Sequence, residues 1–190
     1  TAKEYGMVVA AHAHGKEGMK RAVIAGVQTI EHGSFMDKEV AALMKKHNSY
    51  LVPTLSAGRY VEEKAKIPNY YPAVILPKIT STMEVLDKTI EMVIKEGVPI
   101  AFGTDAGVFP HGENAKEFVY MVEAGWSPMF SLQSATLTNA MLLDMDKKLG
   151  VLEVGYLADI IATDADPTQD INTVLDVTFV MRDGVVYKNK

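Results

Sequence analysis

Three residues able to hold a metal ion stand at the ends of short apolar runs: His12 in VVAAHAHG, His32 in QTIEHG and Asp105 in PIAFGTDAG. A glycine follows each within three residues. Neutral imidazole and carboxylate suit Zn²⁺ and its neighbours in hydrolytic sites. Two histidines on adjacent strands can share one ion. An aspartate beside them can ligate the ion and take a proton from a coordinated water whose pKa has fallen towards ~7. It can then act as acid to a leaving amine. His14 lies two residues past His12, and residues two apart on a strand point the same way. Each residue alone has a plainer reading. A strand histidine can be a hydrogen-bonded core residue, and an aspartate in GTDAG can cap the next helix. The joint pattern, with a ligand type closing each of three separate runs, points to a site.

The runs must be placed on elements. Residues 7–12, 27–31, 50–55 and 98–104 read as buried strands. Residues 16–26, 37–47, 81–96, 113–124 and 127–145 read as helices, with Asp37 as an N-cap. Gly6 reads as a helix stop, and Pro53 should bend or end the third strand. Met83, Leu86, Ile90 and Val93 form the core stripe of their helix. His47 reads as a C-terminal dipole partner. Residues 56–82, with three prolines and three tyrosines, read as a long functional loop or lid. The order β-α-β-α-β-loop-α-β-α-α indicates an α/β fold with parallel strands and right-handed crossovers. Four such units make half of a (β/α)8 TIM-type barrel, whose catalytic residues stand at strand C-termini. His12, His32 and Asp105 all occupy that position.

From Lys147 the character changes. Turn glycines frame a short run, LADIIA, and VTFVMRDGVVYK reads as a hairpin turning at Asp183-Gly184. Residues 1–146 are therefore assigned to the half-barrel, and residues 147–190 to strands of a small β-sandwich domain. The chain opens one turn before its first site strand. It is expected to be the C-terminal part of a longer protein, about half of it. Exposed strand edges of a half-barrel need covering, so the chain is expected to pair with the N-terminal half and to form a homo-oligomer.

Composition removes several classes. The net charge of −5 gives no electrostatic case for nucleic acid or an anionic membrane. No apolar run approaches the ~20 residues of a membrane helix. The chain has no cysteine, which excludes disulfides and thiolate zinc sites.

The stretches AAHAHGKEGMKRAVIAGVQTIEHGS, GTDAGVFPHGENAKEFVYMVEAG, SLQSATLTNA and LGVLEVGYLADIIATDADP resemble the amidohydrolase superfamily, in its imidazolonepropionase-like branch of metal-dependent dipeptidases. The resemblance implies that His12 is the strand-5 metal ligand, His32 the strand-6 ligand, and Asp105 the strand-8 ligand and general base. It implies zinc, two ions in the complete protein, and a small peptide substrate. HAHG with GTDAGVFPHGENAKEF looks most like carboxypeptidases that release a C-terminal arginine or lysine. Xaa-Pro dipeptidase and cyclic-amide hydrolase are alternatives, as is an inactive fold remnant. The family pattern also has a His-x-His pair on strand 1 and a carboxylated lysine on strand 4. Both are missing here, and the chain by itself is expected to be inactive.

Further contacts follow from that placement. His14 would hydrogen-bond the scissile carbonyl oxygen or support the ligands. His111 in FPHGEN would meet substrate or stand in solvent. Arg59 and Tyr60 would clamp a terminal carboxylate, which arginine can do bidentately, or be solvated. Glu113 and Glu117 are the carboxylates available to face a cationic substrate, Glu117 having the plainer reading of a solvated helix face.

Overall fold

The computed structural model describes residues 1–190, the side chain of Lys3 excepted. The chain divides into two units, Thr1–Asn114 and Ala115–Lys190.

In the first unit a 3₁₀ turn, Ala2–Tyr5, ends at Gly6, whose φ of 64° is left-handed. Strand β1 (Ala10–Ala13), helix α1 (Lys16–Ala25), strand β2 (Thr29–His32), helix α2 (Lys38–His47) and strand β3 (Tyr50–Val52) follow in order. The strands are parallel and ordered β1-β2-β3. Helix α2 starts where the Asp37 carboxylate accepts the Val40 N–H, at 3.0 Å. The core lies between sheet and helices: Met19, Val23, Ile30, Val40, Met44 and Leu51 are fully buried.

Several expectations fail in this unit. Residues 56–82 are largely helical, with α3 at Leu55–Ala65 and α4 at Leu76–Glu96. The prolines had suggested a loop. Pro68 and Pro72 do fall between the helices, but Pro77 sits in the first turn of α4, where a missing N–H costs nothing. Residues 98–104 do not form a full strand. Only Ile100 bridges, in parallel, to Leu51. Leu51 N–H donates to Pro99 O (2.8 Å) and Ala101 N–H to Leu51 O (3.0 Å). Pro99 has no N–H to extend the ladder. Met83 also departs from the expected core stripe: it lines a cavity, while Leu86, Ile90 and Val93 are buried.

Just after β2 the chain must turn tightly. Gly33 has φ 61°, and a Cβ there would meet Leu51 Cδ1 at 2.6 Å and Met36 Cε at 3.2 Å. Left-handed strain and overpacking add. Gly33→Ala should therefore cost about 2–4 kcal/mol of stability, read as a lowered denaturation midpoint. A midpoint equal to the parent's would contradict this account.

The second unit carries α5 (Lys116–Glu123), α6 (Pro128–Gln133) and α7 (Asn139–Leu142), the last two joined by a π-helical turn over Ser134–Thr138. The helix expected over 127–145 therefore forms over 128–142, with one π-helical turn inside it. Strands β4 (Ile160–Ala162), β5 (Phe179–Arg182) and β6 (Val185–Asn189) form an antiparallel sheet in that order. The β5–β6 turn is Asp183-Gly184, with φ of 48° and 76°, the positive pair a two-residue hairpin turn requires. Among the described residues no helix is long and apolar enough to cross a membrane.

Candidate metal centre and its cavity

β1 presents His12 and, just beyond its end, His14; β2 ends on His32. The register sets Ala13 opposite His32, which brings the three rings together. Ring centroids are 4.8 Å apart for His12–His14, 4.6 Å for His12–His32 and 4.9 Å for His14–His32. One nitrogen from each ring lies within 4.8 Å of the others. A tetrahedral zinc site sets its ligand nitrogens about 3–3.5 Å apart, so small ring movements would bring the three onto one ion.

Hydroxyls orient two of the rings. Ser34 Oγ lies 2.9 Å from His14 Nδ1, and Thr54 Oγ1 lies 2.7 Å from His32 Nδ1. The Thr54 hydroxyl donates its proton to Pro53 O at 2.8 Å. It must therefore accept from Nδ1–H of His32. That fixes the tautomer and leaves Nε2 with a free lone pair. Such outer partners typically govern metal affinity by about 10–100-fold. Thr54→Val should weaken metal binding by about that factor, and Thr54→Ser should largely restore it. Chelator competition on the purified chain measures both; an unchanged affinity in the valine variant would refute the assignment.

The backbone at the strand ends is strained. His32 (φ 72°), Thr54 (φ 50°) and Asp105 (φ 57°) are all left-handed without being glycine. Each such residue costs about 1–3 kcal/mol, and such strain clusters at functional sites. All three line one cavity of about 350 Å³, with His12, His14 and Ser34. Its other wall is made by α3 and α4, through Ala57, Gly58, Val61, Ile79, Met83 and Leu86.

The electrostatics favour neutral imidazoles. Burial, then the neighbouring His14 and His12, push the His32 pKa down from 6.5 to about 4, with Asp105 opposing. Burial and His12 also lower that of His14. Burial raises the Glu31 carboxyl, the Thr29 hydroxyl opposes this, and the charge of Asp105 adds to it. Neutral rings are the form that binds metal.

Not all expected site residues converge. Asp105 shares the cavity with the histidines but stands outside their close triplet. His14 joins the triplet, so it is placed to ligate. Arg59 turns to Asp87 (2.9 Å) and Glu62 (3.5 Å) and lines a separate depression with them. Tyr60 lies under the Lys64 ammonium (4.9 Å) and near Phe109. His111 is exposed and Glu113 half-buried, and neither lines the histidine cavity. Glu117 is fully buried in the second unit rather than on a solvated face. Four polar cavity residues escaped the sequence reading: Ser34, Thr54, Lys78 and Thr82. Thr54 had a signal, since it too closes a strand, two residues past Val52.

The sequence model described as the Amidohydrolase family matches residues 1–187. The chain belongs to this family. Ochratoxinase of Aspergillus niger is 34% identical over 95% of the chain and 38% of that protein. A crystal structure of a Xaa-Pro dipeptidase with methionine bound in its active site superposes with a TM-score of 0.95 at 52% identity, over 99% of this chain and 46% of that one. A prolidase complexed with N-methylphosphonate-L-proline superposes with a TM-score of 0.87 at 31% identity, over 100% of this chain and 47% of that one. The chain thus spans less than half the length of these relatives. Amidohydrolases generally bind metal, and the triplet His12, His14 and His32 can hold an ion.

Proposed function

We propose that this chain supplies part of the metal centre of an amide hydrolase acting on dipeptides or related N-acylated amino acids. The observation that carries the reading is the histidine triplet, opening on the same cavity as Asp105. Zinc suits this nitrogen–oxygen donor set. When bound, it would lower the pKa of a water and polarise the scissile carbonyl. His12 and His32 would hold the ion, and His14 would ligate it or steady the carbonyl oxygen. Asp105 takes the proton of the attacking water and later delivers it to the leaving nitrogen. The wall from α3 and α4 limits solvent access.

In this reading, residues 1–146 form strands 5–8 and the helices of a (β/α)8 barrel, and residues 147–190 belong to a small composite β-domain. The N-terminal half of the barrel would supply the remaining ligands and a second zinc. Support comes from β1, which is the outer strand of its sheet, and from Met7 and Val8 ahead of it, which are 63% and 42% exposed. An open edge with an apolar flank is a surface that needs a cover.

The leaving residue is better matched by an apolar side chain than by arginine or lysine. The 52% identity to a Xaa-Pro dipeptidase supports this, as does the cavity lining. Asp105 is the only carboxylate that lines the cavity among the described residues, and proton transfer occupies it. The test is release of free amino acid by the zinc-loaded complete protein. Dipeptides ending in proline, leucine and arginine would be compared with a cyclic amide. Cleavage of none of them with metal bound would sink the proposal.

A further inference from the structure

The cavity has two chemically different ends. One holds the histidines, Asp105, Ser34 and Thr54. The other is a largely aliphatic wall, which Thr82 and the exposed Lys78 also line. Ile79, Met83 and Leu86 lie four and three residues apart on α4, which stacks them on one face. Val61 of α3 joins them. Gly58 lets the two helices close: a Cβ there would already stand 3.3 Å from Leu86 Cδ2 and 3.8 Å from Met83 Cε. α4 is tied to the metal centre itself. Thr89 Oγ1 donates to Ser34 O at 2.9 Å, and Ser34 is the residue that orients His14.

Lys78 is the only lysine or arginine lining the cavity among the described residues. Among the described residues Lys78 makes no ion pair, so its charge is available to a ligand that enters the cavity. A cationic, uncommitted group beside an apolar wall matches the free end of an amino acid with an apolar side chain. In a dipeptide the scissile carbonyl carbon and the terminal carboxylate carbon are three bonds apart, about 3–4 Å. A cavity of about 350 Å³ is in the range of small-ligand sites.

We propose that Lys78 anchors the free α-carboxylate of the substrate, while Val61, Ile79, Met83 and Leu86 receive the apolar side chain of the leaving residue. This rests on the amide-hydrolase reading above. It makes the site select against C-terminal arginine and lysine, whose charge would meet both the ammonium and the aliphatic wall. It also requires a free carboxylate, which distinguishes an exopeptidase from a general amidase.

The test uses the zinc-loaded complete protein with L-alanyl-L-leucine, its C-terminal amide and L-alanyl-L-arginine. The parent should prefer the leucine acid over its amide by about 10–100-fold in kcat/KM, the worth of a charge-assisted hydrogen bond. Lys78→Gln should collapse that preference towards parity, with the loss falling on KM for the acid. Lys78→Arg should recover part of it. Met83→Glu should shift selectivity towards the arginine dipeptide. A Lys78→Gln variant that keeps the acid-over-amide preference overturns the anchor, and so does one that loses both substrates equally. A parent that favours arginine over leucine overturns the wall. If the parent cleaves no substrate, the amide-hydrolase reading fails and the anchor falls with it.

Discussion

Asp105→Asn in the complete protein should lower kcat by about 10²–10⁴-fold, the usual contribution of a positioned general base. The substitution is chosen for its backbone. Asp105 has φ 57°, and asparagine is one of the few residues that tolerate the left-handed region. An alanine there would add strain and blur the result. The amide oxygen of asparagine can still reach a metal but cannot accept the proton of the attacking water. Zinc content near the parent's, with kcat collapsed, identifies Asp105 as the base. A variant that keeps a tenth or more of the parental kcat would assign the proton transfer elsewhere. Glu31 is then the next carboxyl to examine, since it feels the charge of Asp105.

His32→Asn should reduce metal affinity by more than 100-fold, because loss of a ligand exceeds the 10–100-fold cost of losing an outer partner. Asparagine again suits the backbone, here φ 72°. The same variant tests the electrostatics. In the metal-free fold His32 titrates at about 4, against 6.5 ordinarily. Between those values the unfolded chain binds the extra proton and the folded chain does not. The stabilisation is fully present above about 6.5 and is lost as pH falls towards about 4. Metal-free parent protein should therefore lose stability as pH falls through that window, by about 1–2 kcal/mol once solvent screening of this half-exposed ring is allowed for. His32→Asn should flatten the slope. Urea midpoints of both proteins across the window measure it. Parallel curves would show that some other group carries the pH response. Zinc added to the parent should oppose the acid loss, since the ion and the proton compete for the same ring.

The sequence by itself determined the parts governed by local rules. The apolar runs ending in His12 and His32 are strands, and the turn glycines end them; the expected burial holds for Thr29 and Ile30 of β2 but not for 7–12, where Met7 and Val8 are exposed and the strand begins only at Ala10. The Asp37 cap, the Asp183-Gly184 hairpin and the parallel order of the first three strands follow from spacing over a few residues. So did the pairing of His12 and His14 on one side of a strand, which is a matter of period two.

Tertiary structure decided what depends on distance between segments. Whether Arg59 faces a substrate or Asp87 depends on how α3 lies against α4, and no local pattern encodes that angle. Residues 56–82 carry loop-like prolines, yet packing of Leu55, Ala57 and Leu86 makes most of them helical. Met83 has the period of a core residue, but Gly58 brings the helices close enough to leave it on a cavity wall. Thr54 is an ordinary threonine in sequence. Only the β2–β3 register puts its hydroxyl 2.7 Å from His32 Nδ1. Residue types and strand ends are set by short-range sterics and burial; tautomers, ion partners and cavity walls are set by how whole elements pack.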